Sequence, residues 1–587
     1  MSHTALQIAC LGTLTVGVSL FGCNSDNSQT RRESKTDAAK QVGSPATSVG
    51  DLQLGGLPIR EDALGDWFEE VADSSGVRYT FRNGRDYGHN WLVEVIGGGV
   101  AMIDYDQDGD LDLFFPGGGK IDGDPPRVSG MPCAFFRNDG DFRFVEVTEE
   151  AGLNQTLDYS FGVAVGDIDR DGYPDLYLTC YRQSRLFRND RMGAFEDITV
   201  AAGISFEGIN SAAVFADYDR DGWPDLFATG YLDVQGMEDR ICGDASQEIR
   251  EVCGPWTFPP AADRLFQNQG NATFADVTKE AGLISKGKGL AVLAGDLNDD
   301  GRVDFFVAND STLNFLYLGG ATLPFSEAGL SSGVAASEEG NPEGSMGTDF
   351  GDYDGDGLGD LWITNYEAEE NALCRRRSDG TFSRVTLQAG LGNGRPHVGF
   401  GTGLADFDLD GWLDIFVSNG HVLYRSGVGS FAQLPLLYRN SGGGRFLDFS
   451  VRGGPYFGAR HPGRGVAVGD LDNDGALDIV VVHQNEPVAI LRNRNSVEHW
   501  FRVELRAVQT EPSAVGARVS IEFEGRTLVR HVKVGAGYLS HSDQRILLPA
   551  KDDQPRETTV YWPSGKVEVF SLKETCQTYR LVEGQGT

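Results

Sequence analysis

DYDQDGDLD, residues 104–112, sets five carboxylates in nine residues around Gly109. Two unit charges about 4 Å apart at an effective dielectric near 20 repel by roughly 4 kcal/mol, so such a segment is either disordered or built around a cation. The spacing D-x-[DN]-x-D-G-x-x-D then recurs, which decides between the two. Its seven copies place Asp104, Asp106, Asp108 and Asp112; Asp167, Asp169, Asp171 and Asp175; Asp217, Asp219, Asp221 and Asp225; Asp296, Asn298, Asp300 and Asp304; Asp352, Asp354, Asp356 and Asp360; Asp406, Asp408, Asp410 and Asp414; and Asp470, Asp472, Asp474 and Asp478. Acidic turns that are merely solvated have no need of glycine at position 6 and aspartate at position 9 in every copy. The alternation is that of a tight Ca²⁺ loop, with oxygens from positions 1, 3 and 5 and a backbone carbonyl at 7. An EF-hand is ruled out, because its bidentate glutamate at position 12 is replaced by Phe115, Leu178, Ala228, Val307, Ile363, Val417 and Val481. The ninth-position aspartate is therefore expected to close the coordination shell.

The flanks say what carries the loop. Runs such as GVAMI, GVAVG and AAVFA precede it, and LFF, LYL, FFV and IVV follow, the signature of a buried β-hairpin with the cation in its turn. Each unit has a second half, for example FFRNDGDFRFVEVTEEAGL, which reads as strand, turn and strand. Four strands in a repeat of about 60 residues predict a propeller blade, and seven copies predict an all-β, seven-bladed β-propeller over residues 63–495. The last copy lacks its fourth strand, while Trp67–Val77 resembles that strand and precedes the first hairpin, so the N-terminal strand is expected to complete blade seven.

These units resemble the FG-GAP, or VCBS, repeats of integrin α-chain propellers, whose hairpin loops bind Ca²⁺. The stretches EHWFRVELRA, AVGARVSIEFEGRTLVRHVKVGAGYLSHSDQRILL and VYWPSGKVEVF are similar to the ASPIC/UnbV domain found after such repeats in cartilage acidic proteins and in bacterial exported proteins. That resemblance implies fold, calcium and an interaction or adhesion role, and no reaction. Without it, residues 496–587 read as short amphipathic strands between Gly, Pro and Asp turns, a small β-sandwich-like domain.

Ile8–Phe21 is an apolar run of signal-peptide length, and Leu20-Phe21-Gly22-Cys23 resembles a bacterial lipobox. Residues 1–22 are thus expected to be a signal peptide, Cys23 the lipidated N-terminus, and residues 23–62 a flexible tether; ordinary cleavage is the alternative. Either way the protein is exported, facing the periplasm or the cell surface. Fifty Lys and Arg against 86 Asp and Glu give a formal charge of −36. That balance disfavours nucleic acid and anionic membrane surfaces as partners, leaving an N-terminal lipid as the membrane contact.

Export permits disulfides. Cys242 and Cys253 flank an insertion in the third repeat and are expected to pair; Cys133 and Cys180 could bridge neighbouring blades, and Cys374 and Cys576 read as reduced, buried thiols. The sequence has no nucleophile elbow, zincin, P-loop or dinucleotide fingerprint. His89, His397, His421, His461 and His483 map to the propeller face opposite the acidic loops, either as a metal or ligand site beside the axis or as loop histidines bonded to local backbone. The reading favoured is a non-enzymatic, Ca²⁺-binding module for a protein or glycan ligand. The alternatives are an extracellular enzyme, polysaccharide-active or metal-dependent, sited on the histidine face, and an assembly factor for other exported proteins.

Overall fold

The computed structural model describes residues 65–206, 208–237, 240–244, 249–424, 430–495 and 497–587. The expected signal peptide, tether and Cys23 lie outside the described residues. No helix among those described is long and apolar enough to cross a membrane.

Seven four-stranded antiparallel sheets follow one another along the chain. Blade two shows the pattern: Ser160–Gly166, Asp175–Cys180, Arg185–Asn189 and Phe195–Asp197, paired in that order. The first two strands are buried along nearly their whole length, as expected of continuous apolar runs packed on both faces. The fourth is a short edge strand, and a single helical turn after it ends at a left-handed glycine such as Gly203 (φ 76°), a conformation that costs glycine nothing. The seventh sheet is completed from the other end of the chain: Phe68–Glu70 pairs with Ala489–Asn493, Phe68 opposite Asn493. This is the closure the sequence predicts; it gives the seventh blade its fourth strand and ties the two ends of the ring together.

After the ring, Trp500–Arg506 pairs antiparallel with Ile546–Pro549 and parallel with Gln577–Val582. A second sheet, in the order Arg526–His531, Arg518–Phe523, Arg556–Tyr561, Val567–Leu572, packs over a core that includes Phe501, Val519, Leu528 and Trp562. The segment joining the two sheets enters the propeller axis. Val534 bridges Ala294, Gly537 bridges Thr348 and His541 bridges Ala101, and the Leu539 carbonyl accepts the Val163 N–H at 3.1 Å. These partners are inner strands of blades four, five, one and two. At the other end Trp91, Val93, Val95 and Ile96 are buried in the same apolar cluster as Val534, Tyr538 and Leu539. The axis is thus filled with side chains from both ends.

Candidate cation loops and the face opposite

Two aspartates shape every loop. The position-1 carboxylate accepts the N–H of the position-6 glycine in all seven copies, from Gly109 to Asp104 at 3.1 Å through Gly475 to Asp470 at 2.8 Å. That bond needs the chain to double back, which the positive φ of the glycine provides (Gly109, 94°). The position-9 aspartate spends both oxygens on backbone: Asp175, 1% exposed, accepts the Ile168 N–H at 2.9 Å and the Asn189 N–H at 2.8 Å. Asp112, Asp225, Asp304, Asp360, Asp414 and Asp478 repeat this geometry. The ninth residue is therefore first a staple between hairpin and third strand, which refines the expectation that it closes the shell in every copy. It joins positions 1 and 3 in Asp167–Asp169–Asp175 and Asp217–Asp219–Asp225, whereas positions 1, 3 and 5 group in Asp104–Asp106–Asp108 and Asp352–Asp354–Asp356; each group brings one oxygen per residue within 4.8 Å of the others.

The donor set fits a hard divalent cation. Asp104, Asp106, Asp169, Asp406, Asp408 and Asp472 each keep a buried Oδ1 without a hydrogen-bond partner. All six belong to position 1 or 3, and an orphaned buried acceptor costs free energy unless something positive meets it. Burial pushes the Asp104, Asp167, Asp296 and Asp352 carboxyls up to about 6, Asp217 to about 7 and Asp406 to about 8. Residues outside the motif hold the outer oxygens. Arg375 Nε lies 2.6 Å from Asp354 and its Nη2 2.9 Å from Asp356; Arg439 makes the same fork to Asp408 and Asp410 at 2.7 and 3.1 Å; Arg492 reaches Asp472 at 2.7 Å, and Gln267 Nε2 reaches Asp219 at 2.6 Å.

The loops are also tied to one another. Asn138, Asn189, Asn268, Asn440 and Asn493, which follow those clamp positions on the third strand, donate through Nδ2 to the position-2 carbonyl of the preceding blade's loop: Leu471, Tyr105, Ile168, Tyr353 and Phe407, at 2.8–2.9 Å. Gln107 and Arg220 donate to the glycine carbonyls of the next loop, Gly172 and Gly301. The sequence signal for the asparagines is the recurring FRN, FRN, FQN, YRN and LRN that ends the third strand.

The C-terminal domain sits on this loop face. Arg502 pairs with Asp470, Arg530 Nη2 lies 3.1 Å from Asp406, Arg518 Nη1 lies 3.0 Å from Asp299, and the Glu511 N–H donates to Asp217 at 3.2 Å.

On the opposite face the five histidines do not converge. His421 is fully buried; its Nδ1 accepts the Leu423 N–H at 2.8 Å, which leaves the proton on Nε2, 3.1 Å from Glu367 Oε1. His89 packs on Trp91, and the His397 N–H bonds the Gly394 carbonyl. Only His461 and His483 meet, with Glu486 beside them. Their rings stack at 4.7 Å and 16°, and His461, His483 and Glu486 each bring one ligand atom within 4.8 Å of the others. His483 Nε2 lies 2.9 Å from the Tyr456 hydroxyl and its Nδ1 2.6 Å from the Pro487 carbonyl, and burial holds its imidazole down at about 4. Cys242 and Cys253 form a disulfide; Cys133, Cys180 and Cys374 are buried thiols, so the cross-blade bridge is not formed, and Cys576, expected buried, is exposed just before the last strand.

The FG-GAP-like repeat family model matches residues 104–178, 171–228, 296–363, 352–417 and 422–481, together more than half of the chain, and the ASPIC and UnbV model matches residues 507–587. Cartilage acidic protein 1 of Mus musculus and of Homo sapiens are each 25% identical to this chain over 495 residues, which is 80% of this chain and 71% and 69% of theirs. Among solved structures, an Agrocybe aegerita lectin described as recognising non-reducing terminal N-acetylglucosamine aligns at 15% identity and TM-score 0.35, over 68% of this chain and 95% of its own.

Proposed function

Because this chain belongs to the FG-GAP-like repeat family and carries an ASPIC/UnbV domain at its C-terminal end, we propose that it is an exported, non-enzymatic, calcium-loaded propeller that offers a rigid surface to an extracellular protein or glycan, held at the cell envelope through Cys23. The observation that carries the calcium reading is the set of buried, partnerless carboxylate oxygens at positions 1 and 3 of the loops. Asp104, Asp106, Asp167, Asp169, Asp217, Asp219, Asp296, Asn298, Asp352, Asp354, Asp406, Asp408, Asp470 and Asp472 are the residues that would hold the ions, with carboxylates at position 5 or 9 completing each set. When bound, Ca²⁺ neutralises and cross-links carboxylates that otherwise repel one another. Seven ions would bring the formal charge from −36 to −22. What supports an interaction role over catalysis is the axis, which apolar side chains pack from both ends.

The test is elemental analysis of the exported protein purified without chelator. About seven calcium per chain and no transition metal is the expected result. A chain that carries no calcium, or one stoichiometric zinc, copper or iron, refutes the reading.

A further inference from the structure

Seen from their first carboxylates, the seven loops are not alike. In loops one to five no charged side chain of the C-terminal domain hydrogen-bonds the position-1 aspartate among the described residues. Loops six and seven differ. Asp406, 3% exposed, gives Oδ2 both to the Gly411 N–H at 2.9 Å and to Arg530 Nη2 at 3.1 Å. Asp470, 1% exposed, gives Oδ2 to the Gly475 N–H at 2.8 Å and to Arg502, whose other nitrogen reaches Asn473 Oδ1 at 2.6 Å. Both guanidiniums are themselves buried, at 10% and 4% side-chain exposure. Loop six is compensated further by Arg526, which donates to the Asp410 carbonyl at 2.8 Å while lying over the Trp412 ring, beyond the Arg439 fork onto Asp408 and Asp410 that loop five matches with Arg375. Loop three is the opposite case. Its clamp is the neutral Gln267, and the C-terminal domain brings it Glu511, a further negative charge.

A buried carboxylate is stable only when something positive meets it, and a guanidinium at hydrogen-bond distance meets that need without a metal. The same fixed charge repels an arriving divalent cation, and affinity in oxygen-lined loops follows the net ligand charge. Asp406, Asp408 and Asp472 each still keep a buried Oδ1 without a hydrogen-bond partner, so an acceptor for a cation survives in both loops.

We infer that Arg502 and Arg530 are built-in counter-cations: they make loops six and seven weak, exchangeable calcium sites and keep the C-terminal domain seated on the ring while those sites are empty of calcium. The inference rests on the calcium reading above. It assigns to two arginines, 32 and 124 residues from their carboxylates, a role in setting metal affinity that the loop motif does not reveal. Loop four joins the weak class for a separate reason, since Asn298 leaves it two carboxylates at positions 1, 3 and 5.

The experiment is equilibrium dialysis of the calcium-depleted full chain against graded free Ca²⁺, with bound metal counted per chain, for the wild type and for Arg502→Gln, Arg530→Gln and the double variant. Glutamine keeps an amide donor and removes the charge. The wild type should fill about four sites first and about three at tenfold or higher free calcium. Each single variant should move one of the weak sites tenfold or more toward tighter binding, and the double variant two. The wild-type isotherm stands as a test even if a variant fails to fold. A single affinity class in the wild type, or variants whose weak sites stay put or weaken further, overturns the inference while leaving calcium binding intact. A wild type that binds no calcium overturns the calcium reading and this inference with it.

Discussion

Chelation is the perturbation that the loop geometry answers most directly. In Asp104–Asp106–Asp108 and the three comparable groups, the carboxylate oxygens lie within 4.8 Å of one another. At an effective dielectric near 20 each charged pair at that distance repels by about 3.5 kcal/mol. Solvent screening at the exposed members and partial protonation cut this sharply, and about 2 kcal/mol per loop is a fair residue. Four such loops then cost about 8 kcal/mol once the metal is gone, as large as the whole stability of an ordinary domain. For a propeller of this size each kcal/mol moves Tm by about 1–2 °C, so excess EDTA should lower Tm by about 8 °C or more. The assay is thermal unfolding followed by circular dichroism in buffer with millimolar CaCl₂, with EDTA, and with EDTA followed by excess calcium. Recovery on re-addition separates metal loss from damage. A shift under about 2 °C would refute the premise that the loops are held by a cation, and the orphaned oxygens would then have to be met by water.

Three further outcomes are expected. Asn189→Ala strips the buried Tyr105 carbonyl of its inter-blade donor and the exposed Arg191 N–H of its acceptor; at about 1–3 kcal/mol for the one unmet buried group, calcium-loaded protein should lose about 1–3 kcal/mol in urea titration, and a loss under about 0.5 kcal/mol contradicts the interlock. His483 stays neutral in the fold with its pKa at about 4 against an ordinary 6.5, so its contribution is intact above pH 6.5 and falls by about 1.4 kcal/mol per unit as pH drops from 6.5 toward 4; the His483→Gln variant should show a shallower acid limb than the wild type, and parallel limbs would be the contrary result. Gly535→Ala places a Cβ 1.9 Å from the Val292 carbonyl at a φ of +82°, so the axial segment should unseat, giving limited proteolysis within residues 532–543 that the wild type resists; equal resistance would show that the segment tolerates the strain.

The ring was legible because its determinants are local. Each hairpin carries its apolar flanks, its Gly at position 6 and its aspartates within nine residues, and the N-terminal strand declared itself by resembling the fourth strand missing from blade seven. The asparagine interlock was written into the sequence just as plainly, as an Arg–Asn pair on four third strands and Gln267–Asn268 on a fifth. It went unread because its acceptor lies in another blade, 84 residues away for Asn189 and 333 for Asn138. The histidines were legible only as a face: blade position placed His421, His461 and His483 there, while their partners, such as Tyr456, Glu367, Pro487 and Glu486, come from tertiary packing, which brings His461 and His483 together with Glu486.

By itself, then, the sequence determined the repeat, its count, its closure and the acidic loops, because strand patterning and loop chemistry are properties of contiguous residues. Tertiary structure decided what those loops face. The seating of Arg502 on Asp470 and Arg530 on Asp406, the entry of Val534 to His541 into the axis, and the saturation of the ninth-position aspartates by backbone N–H all join residues far apart in the chain. Such contacts depend on the packing angle between domains and on which oxygen of a carboxylate is already taken, quantities that no local pattern of residue types encodes.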